Sequence, residues 1–477
     1  MTELCDETAV DLRRRIGVKD ISPVELLDSC IARTEAVNGT LNAMVTTCYE
    51  RARDEAKVAE QAVMDGDYLG VLHGLPVGIK DLESTEGVLT TFGSKIYADN
   101  VPEADQVSVA NVRDEGGIVI GKTNTPEFGA GANTRNLVFG ATGNPFDPTK
   151  TCAGSSGGSA VALAAGMVPI ASGSDYGGSL RTPAAYCGVV GFRPSPGVVP
   201  AESKPAGLLP FSVLGPMGRN VHDTALLLSA QASIDPRDPH SGDLDPALFD
   251  PMHEADLGSV RVALSTDLGA APVSKAYRKI FKERTDSFRG VFAEAQDRDP
   301  DFTDIHECFE VLRGVVFVGA HGERVKNHRD NISPNVVDNV DRGLLYGLED
   351  VARAHVQQSK IARDWLGLFD DVDVVICPAA AITPFPHNDW YVSEIDGEEM
   401  PTYMRWLALS YAPTMAMACG AVLPCGLDEQ GMPFGIQVLG APGMDRHVLE
   451  VAASLERVLA KNPATQRPLP DIQALQS

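Results

Sequence analysis

The chain has 477 residues, of which 44% are hydrophobic, and its formal net charge is −25 at pH 7. A surface this acidic repels phosphate backbones and excludes nucleic acid as the default partner. Nine scattered cysteines without a C-x-x-C motif exclude a disulfide framework and a zinc ribbon, and they predict free thiols in a reducing cytoplasm.

The N-terminal segment, residues 1–69, is predicted to be helical. Acidic residues and the lack of an apolar run among its first eleven positions argue against a signal peptide. Ser22-Pro23-Val24-Glu25 supplies an N-cap, a proline at the first helical position and a glutamate at the third. A second helix is predicted over residues 49–64, where alanines and charges alternate at helical spacing.

Residues 70–220 are rich in glycine and small side chains, with short apolar runs between them. The runs at 75–79, 117–120 and 167–171 predict buried strands, and segments 106–115 and 159–165 predict helices. This alternation predicts an α/β fold around a largely buried sheet. The longest mostly apolar run, residues 160–171, is too short to cross a bilayer, so no membrane association is expected.

Residues 221–371 predict a more helical lobe, with a strand at 260–264 and a long amphipathic helix at 344–369. Residues 372–477 return to the sheet through strands at 373–377 and 434–439 and end in a helix at 445–459. No internal repeat or low-complexity linker divides the chain. We therefore predict one domain over residues 1–477.

Two patterns match known motifs but lack the context that those motifs need. Residues 116–123 match the phosphate-binding pattern G-x-x-x-x-G-K-[ST], yet the loop positions read Ile-Val-Ile and predict a strand. Residues 154–158 match the nucleophile elbow G-x-S-x-G around Ser156, yet Pro145 and Pro148 exclude a central strand before it. A Ser-His-Asp esterase stays as a minor alternative, although no histidine is marked as its base.

Two loops and one lysine form the candidate active site. Ser155 lies in a glycine- and serine-rich loop, and a predicted helix and strand then return the chain to the same edge of the sheet, at Ser179. Gly177 and Gly178 allow successive N–H groups to point one way, which suits an oxyanion. Lys80 follows an apolar strand, where burial favours the neutral amine that a general base requires.

These residues lie in motifs that resemble the amidase signature family. The motifs are residues 73–81 (HGLPVGIKD), 121–128 (GKTNTPEF), 154–159 (GSSGGS), 175–184 (DYGGSLRTPA), 187–194 (CGVVGFRP) and 431–437 (GMPFGIQ). The resemblance is dense over residues 70–220 and resumes from about residue 372. It implies one α/β/α domain with a mixed central sheet of about eleven strands covered by helices.

The resemblance also implies the roles of the site residues. Ser179 would attack an amide carbonyl, Ser155 would relay the proton from a position after a cis peptide bond, and Lys80 would be the base. The implied oxyanion hole consists of the N–H groups of Tyr176, Gly177, Gly178 and Ser179. Supporting roles are implied for Ser156, Asp175 and Arg181. The sequence departs from the family at Ala153, which is often glycine, and at Tyr176, which is commonly Ile, Thr or Ala.

The expected reaction is hydrolysis of a small-molecule amide through an acyl-enzyme, without a metal or cofactor, and the variable lobe is expected to shape the pocket. The chain is expected to work alone or as a homodimer. Within the family, the alternative is the A subunit of glutamyl-tRNA(Gln) amidotransferase, which releases ammonia from glutamine. A catalytically inactive binding protein is a further alternative, which the intact Lys80, Ser155 and Ser179 disfavour.

Overall fold

The computed structural model describes residues 3–242 and 244–476. The strands, numbered in chain order, are β1 (Met44–Thr47), β2 (Pro76–Lys80), β3 (Ile118–Thr123), β4 (Arg135–Asn136), β5 (Gly140–Ala141), β6 (Gly143–Asn144), β7 (Asp147–Thr151), β8 (Ile170–Asp175), β9 (Val190–Arg193), β10 (Val213–Gly218), β11 (Arg261–Leu264), β12 (Glu294–Asp297), β13 (Val374–Pro378), β14 (Glu394–Ile395), β15 (Glu398–Glu399), β16 (Cys419–Leu427) and β17 (Pro433–Gly440). The α-helices are α1 (Ala9–Gly17), α2 (Pro23–Leu41), α3 (Tyr49–Asp65), α4 (Val107–Asp114), α5 (Gly157–Ala164), α6 (Arg181–Cys187), α7 (Val221–Gln231), α8 (Lys275–Phe288), α9 (Ile305–His328), α10 (Pro334–Gly343), α11 (Leu348–Leu368), α12 (Ala408–Met415) and α13 (Asp445–Leu459).

Eleven of these strands form one mixed sheet in the order β1-β3-β2-β8-β10-β9-β16-β17-β13-β11-β12. Strand β2 pairs in parallel with β3 and β8, and β11 pairs in parallel with β12 and β13. The remaining neighbours with a paired register are antiparallel. The predicted α/β fold class with a sheet of about eleven strands is confirmed.

Helices cover both faces of the sheet because side chains along a strand alternate in direction. In β3, Ile118 and Ile120 pack into a core that includes side chains of α3 and α5. The intervening Val119 packs into a different core, which includes side chains of α1, α4 and α7. The sheet is therefore buried between two helical layers in this half of the molecule, which explains why every residue of β2 and β3 is buried.

The N-terminal helices follow the sequence prediction closely. Ser22 Oγ accepts from the Glu25 N–H at 3.1 Å, and the Glu25 carboxylate accepts from the Ser22 N–H at 2.9 Å, which completes a capping box at the start of α2. Such a cap contributes about 0.5–2 kcal/mol to helix stability. Among the described residues, no helix is both long and apolar enough to cross a membrane.

The middle of the chain adds the helices α8 to α11, and it also supplies β11 and β12 at one edge of the sheet. The predicted division at residues 69/70, 220/221 and 371/372 stays a prediction. The rejected phosphate-binding pattern lies in β3, where the buried Lys122 amine donates to the carbonyl of Glu83 and to the hydroxyl of Thr85. A strand at these positions confirms that they do not form a loop around a phosphate.

Candidate active site

The candidate site lies where two neighbouring parallel strands end. Lys80 is the last residue of β2, and Asp175 is the last residue of β8. The loop that contains Ser179 follows β8 directly, and α6 begins at Arg181. The carboxyl ends of parallel strands lie at one edge of a sheet, so this topology brings the lysine and the second serine loop together, as the sequence predicts.

The amine of Lys80 is surrounded by three serine hydroxyls. Its Nζ lies 2.7 Å from Ser155 Oγ, 2.8 Å from Ser156 Oγ and 2.9 Å from Ser174 Oγ. An ammonium group has three N–H donors, so three hydroxyls satisfy the charged form, and a neutral amine can accept from one of them. The lysine is therefore positioned to exchange a proton with Ser155.

Burial controls the charge of this lysine. Lys80 has no exposed surface, and burial lowers its pKa to about 7, although the nearby carboxylates of Glu83 and Asp175 raise it. A pKa near neutrality leaves a large fraction of the amine unprotonated at pH 7. Burial therefore makes Lys80 the candidate general base of the site.

The loop of Ser155 is held close to the rest of the site. The peptide bond between Gly154 and Ser155 is cis, and Ala153 has a φ of 59°. Glycine adopts this left-handed conformation more easily than other residues, which explains why it suits position 153. This chain has alanine there instead. The N–H of Ser156 donates to the carbonyl of Ser179 at 3.2 Å, which ties the two serine loops to each other.

The second loop contains backbone N–H groups that make no hydrogen bond within the described residues. The N–H groups of Tyr176, Gly177 and Ser179 have no acceptor among the described residues. The N–H of Gly178, by contrast, donates to the carboxylate of Asp175 at 2.9 Å. The structure therefore differs from the sequence prediction in one respect, because three of the four predicted oxyanion donors are free and the fourth holds the loop.

The buried carboxylate of Asp175 holds the loop that contains Ser179 in place. Arg181 makes a two-point ion pair with its carboxylate, with both N–O distances at 3.0 Å, and Arg193 contacts it at 3.2 Å. Burial would raise the pKa of Asp175, but the two guanidinium groups outweigh burial and hold it well below its usual range. The carboxylate stays ionised, and it fixes the loop through the N–H groups of Gly178 and Leu180.

A cavity of about 540 Å³ opens over the serines. Its lining includes Ser155, Ser174 and Ser179. Aromatic side chains form much of the wall, namely those of Phe92, Tyr97, Phe128, Tyr176, Phe211 and Phe317. A volume of this size, lined mainly by apolar groups around a few polar ones, is typical of a small-molecule site.

The cavity also contains His321, the histidine that an esterase mechanism would need to use. Its ring stacks on Phe128 with 4.7 Å between ring centroids, and Arg324 contacts its Nδ1 at 3.4 Å. Burial and the neighbouring arginines lower its pKa to about 4. No hydrogen bond joins this ring to a serine hydroxyl among the described residues, which disfavours a Ser-His-Asp arrangement.

Sequence reasoning missed Ser174, Ser172 and Glu83. Ser172 Oγ accepts from the backbone N–H of Lys80 at 3.0 Å and donates to the buried carboxylate of Glu83. Ser172 and Ser174 alternate along β8, next to β2, and this spacing was the signal that both could face the end of the lysine strand.

Comparison with known proteins agrees with this geometry. The sequence model of the family described as Amidase matches residues 25–449. The chain belongs to the amidase family. An acylamidase of Rhodococcus erythropolis is 31% identical over 456 residues, which cover 94% of this chain and 95% of that protein. The A subunit of the glutamyl-tRNA(Gln) amidotransferase of Geotalea daltonii is 29% identical, with 95% and 98% covered.

The solved structures include a bacterial aryl acylamidase of the amidase signature family. It superposes with a TM-score of 0.89 at 27% identity, and the match covers 96% of each chain. The resemblance to the amidase signature family is therefore confirmed, and so is the predicted enzyme class, a hydrolase of amide C–N bonds. The roles of individual residues in this amidase belong to the proposal that follows.

Proposed function

We propose that this amidase hydrolyses acyl amides through a covalent ester on Ser179. The observation that carries the proposal is the buried Lys80 amine, with a pKa near 7, placed 2.7 Å from Ser155 Oγ. Ser179 Oγ gives its proton to Ser155 Oγ. At the same time, Ser155 Oγ gives its own proton to Lys80 Nζ. The freed oxygen of Ser179 attacks the amide carbonyl carbon.

The tetrahedral intermediate places negative charge on the former carbonyl oxygen. The N–H groups of Tyr176, Gly177 and Ser179 are the donors that would receive this charge, and each such donor is worth about 10²–10³ in rate. Lys80 then returns the proton through Ser155 to the leaving nitrogen, and the C–N bond breaks. A water molecule repeats the sequence on the ester and releases the carboxylic acid.

The apolar, aromatic cavity supports an aryl or alkyl acyl amide as substrate. The alternative is the amidotransferase role, since the Geotalea daltonii protein is similar over nearly its whole length. Glutamine, however, carries an α-ammonium group beside its α-carboxylate, and no aspartate or glutamate lines the cavity among the described residues to pair with the ammonium. A buried ammonium without a counter-ion is costly, so the cavity favours the acylamidase role.

The expected partner is a small-molecule amide and not a nucleic acid, because the chain carries a net charge of −25. A cytoplasmic location and a homodimer stay predictions.

The test is release of 4-nitroaniline from its acyl amides, alongside ammonia release from glutamine. Ser179→Ala should lower kcat by roughly 10⁴–10⁶-fold, because it removes the nucleophile. Ser155→Ala should also lower kcat, because it interrupts the relay. Ser287→Ala, which removes an exposed hydroxyl on α8, is the matched control and should leave the rate unchanged. Full activity of Ser179→Ala would overturn the proposal.

A further inference from the structure

The cavity carries positive charge in a protein that is otherwise strongly acidic. Among the described residues that line it there are three cationic side chains, those of Lys204, Arg313 and Arg324, and no carboxylate. Lys204 has a counter-ion in Asp238, at 3.5 Å. The chain as a whole carries 65 acidic and 40 basic residues. A cavity of the opposite sign is therefore a local feature that the overall composition does not explain.

Arg313 is the most unusual of these cations. It is 6% exposed and lines the cavity from α9. Its Nε donates to Asn339 Oδ1 at 2.8 Å and one terminal nitrogen donates to Tyr403 Oη at 2.5 Å, and both of these acceptors are neutral. Within the described residues, no carboxylate lies within 4 Å of the guanidinium.

A buried charge without a counter-ion is expensive, and proteins normally pair it. Arg181, which is also buried, has its partner in Asp175. Arg313 instead lies 4.3 Å from the ring centroid of Phe317 and 5.1 Å from that of Tyr176. Its second terminal nitrogen, Nη1, has no hydrogen-bond acceptor among the described residues. The two neutral acceptors also fix the direction of the side chain. The guanidinium is thus held in place with donors available to a ligand.

We propose that Arg313 binds a carboxylate of the substrate, so that the preferred substrates are acyl amides that carry a second, anionic end. The inference rests on the proposed function and specifies its substrate class. The guanidinium lies 5.1 Å from the ring centroid of Tyr176, the residue whose backbone N–H is one of the proposed oxyanion donors. A guanidinium fork matches a carboxylate with two parallel hydrogen bonds.

Two amide chemistries present such a carboxylate without the α-ammonium group of glutamine. The carboxylate lies at the far end of the acyl chain in a half-amide of a dicarboxylic acid, or on the leaving amine in an N-acyl aminobenzoate. Three chromogenic substrates separate them: the 4-nitroanilide of hexanoic acid, which is neutral, the mono-4-nitroanilide of adipic acid, and the hexanoyl amide of 5-amino-2-nitrobenzoic acid. The measured quantity is the ratio of kcat/KM for each carboxylate substrate to kcat/KM for the neutral one.

We expect the wild-type ratio to exceed about 10 for one of the two carboxylate substrates, and Arg313→Met to lower that ratio about 10- to 100-fold. Arg313→Lys keeps the positive charge but cannot form two parallel hydrogen bonds to a carboxylate. Its ratio should therefore lie between that of the wild type and that of Arg313→Met. Arg353→Met is the matched control, since Arg353 pairs at the surface with Glu307 of α9, the helix that carries Arg313, and it should leave the ratio unchanged.

A wild-type ratio of one or less for both carboxylate substrates would overturn the inference, whether or not the variants fold. So would an Arg313→Met protein that melts cooperatively and retains the wild-type ratio, because Arg313 would then be a structural residue. Hydrolysis of the neutral anilide in either case leaves the proposed function standing. If the wild type hydrolyses none of the three and does not react with a fluorophosphonate, the proposed function itself fails.

Discussion

The pH dependence of hydrolysis follows from the burial of Lys80. Burial lowers the pKa of this lysine to about 7, whereas an exposed lysine has a pKa of about 10.4. At pH 7 the buried amine is about half neutral, and an exposed amine would be neutral in roughly one molecule in 2,500. Burial therefore raises the population of the neutral amine by about 10³-fold. Because only the neutral amine accepts a proton, kcat/KM should rise with pH through about 7 and then level off.

The substitution Glu83→Gln tests the physical cause of this pKa. The Glu83 carboxylate favours the charged form of Lys80 and so raises its pKa. Removing that negative charge should shift the rising limb of the kcat/KM profile to lower pH. The assay is 4-nitroaniline release from pH 5 to 9 at constant ionic strength. Glu127→Gln is the matched control, because it also neutralises a buried glutamate, one whose partners are Ser94 and Ser333, and its limb should not move.

A profile that is flat between pH 6 and 8 would refute the assignment of Lys80 as the base. A limb that moves to higher pH in Glu83→Gln would refute the electrostatic argument while leaving the base in place. Lys80→Met, which keeps the length of the side chain without the amine, should remove the limb and lower kcat/KM by about 10²–10⁴-fold.

Three further predictions concern the loop that follows β8. Asp175→Asn leaves the buried Arg181 and Arg193 without an anion, so the free energy of unfolding in urea should fall by about 3–5 kcal/mol, and an unchanged value would contradict the anchoring role. Gly178→Ala should lower kcat/KM by about 10²-fold or more, because φ is 111° there and a Cβ would lie 2.5 Å from Ser410 Oγ, so the loop with the oxyanion donors would have to move. Wild-type kinetics of this variant would contradict the prediction. The buried Tyr176 hydroxyl has no partner among the described residues, so Tyr176→Phe should leave the free energy of unfolding in urea unchanged. A decrease above about 1 kcal/mol would show that this hydroxyl makes a hydrogen bond.

The sequence predicted those elements whose local signals agree with their tertiary environment. The helix after Ser22 has a complete cap, and the strands β2 and β3 are mainly apolar runs, so local pattern and burial give the same answer. Strand β8 runs over Ile170–Asp175 and not over the predicted residues 167–171, because its pairing with β10 continues into polar residues. Strand β10 was missed because it reads Val-Leu-Gly-Pro-Met-Gly, and proline and glycine normally argue against a central strand. It pairs along six residues with β8, a contact that no local pattern reveals.

The same distinction applies to the site. Lys80, Ser155 and Ser179 lie in motifs that can be read along the chain, and the structure places Lys80 against Ser155 as expected. Ser174 and Arg313 carry no such motif. Arg313 belongs to the variable helical lobe, and only the packing of α9 against the cavity makes its missing counter-ion visible. The side chains that line a cavity, and the partners that they lack, depend on packing between segments far apart in the sequence. Composition and motif spacing therefore do not predict them.

The central claim is that Ser179 is the nucleophile, and covalent labelling tests it most directly. A fluorophosphonate reacts with an activated serine hydroxyl, and mass spectrometry of the digested protein identifies the modified residue. The account predicts a single adduct on Ser179 that forms faster as the pH rises through about 7, since Lys80 must be neutral to activate it. An adduct on Ser155 or Ser156 instead, or no adduct on a folded protein, would contradict it.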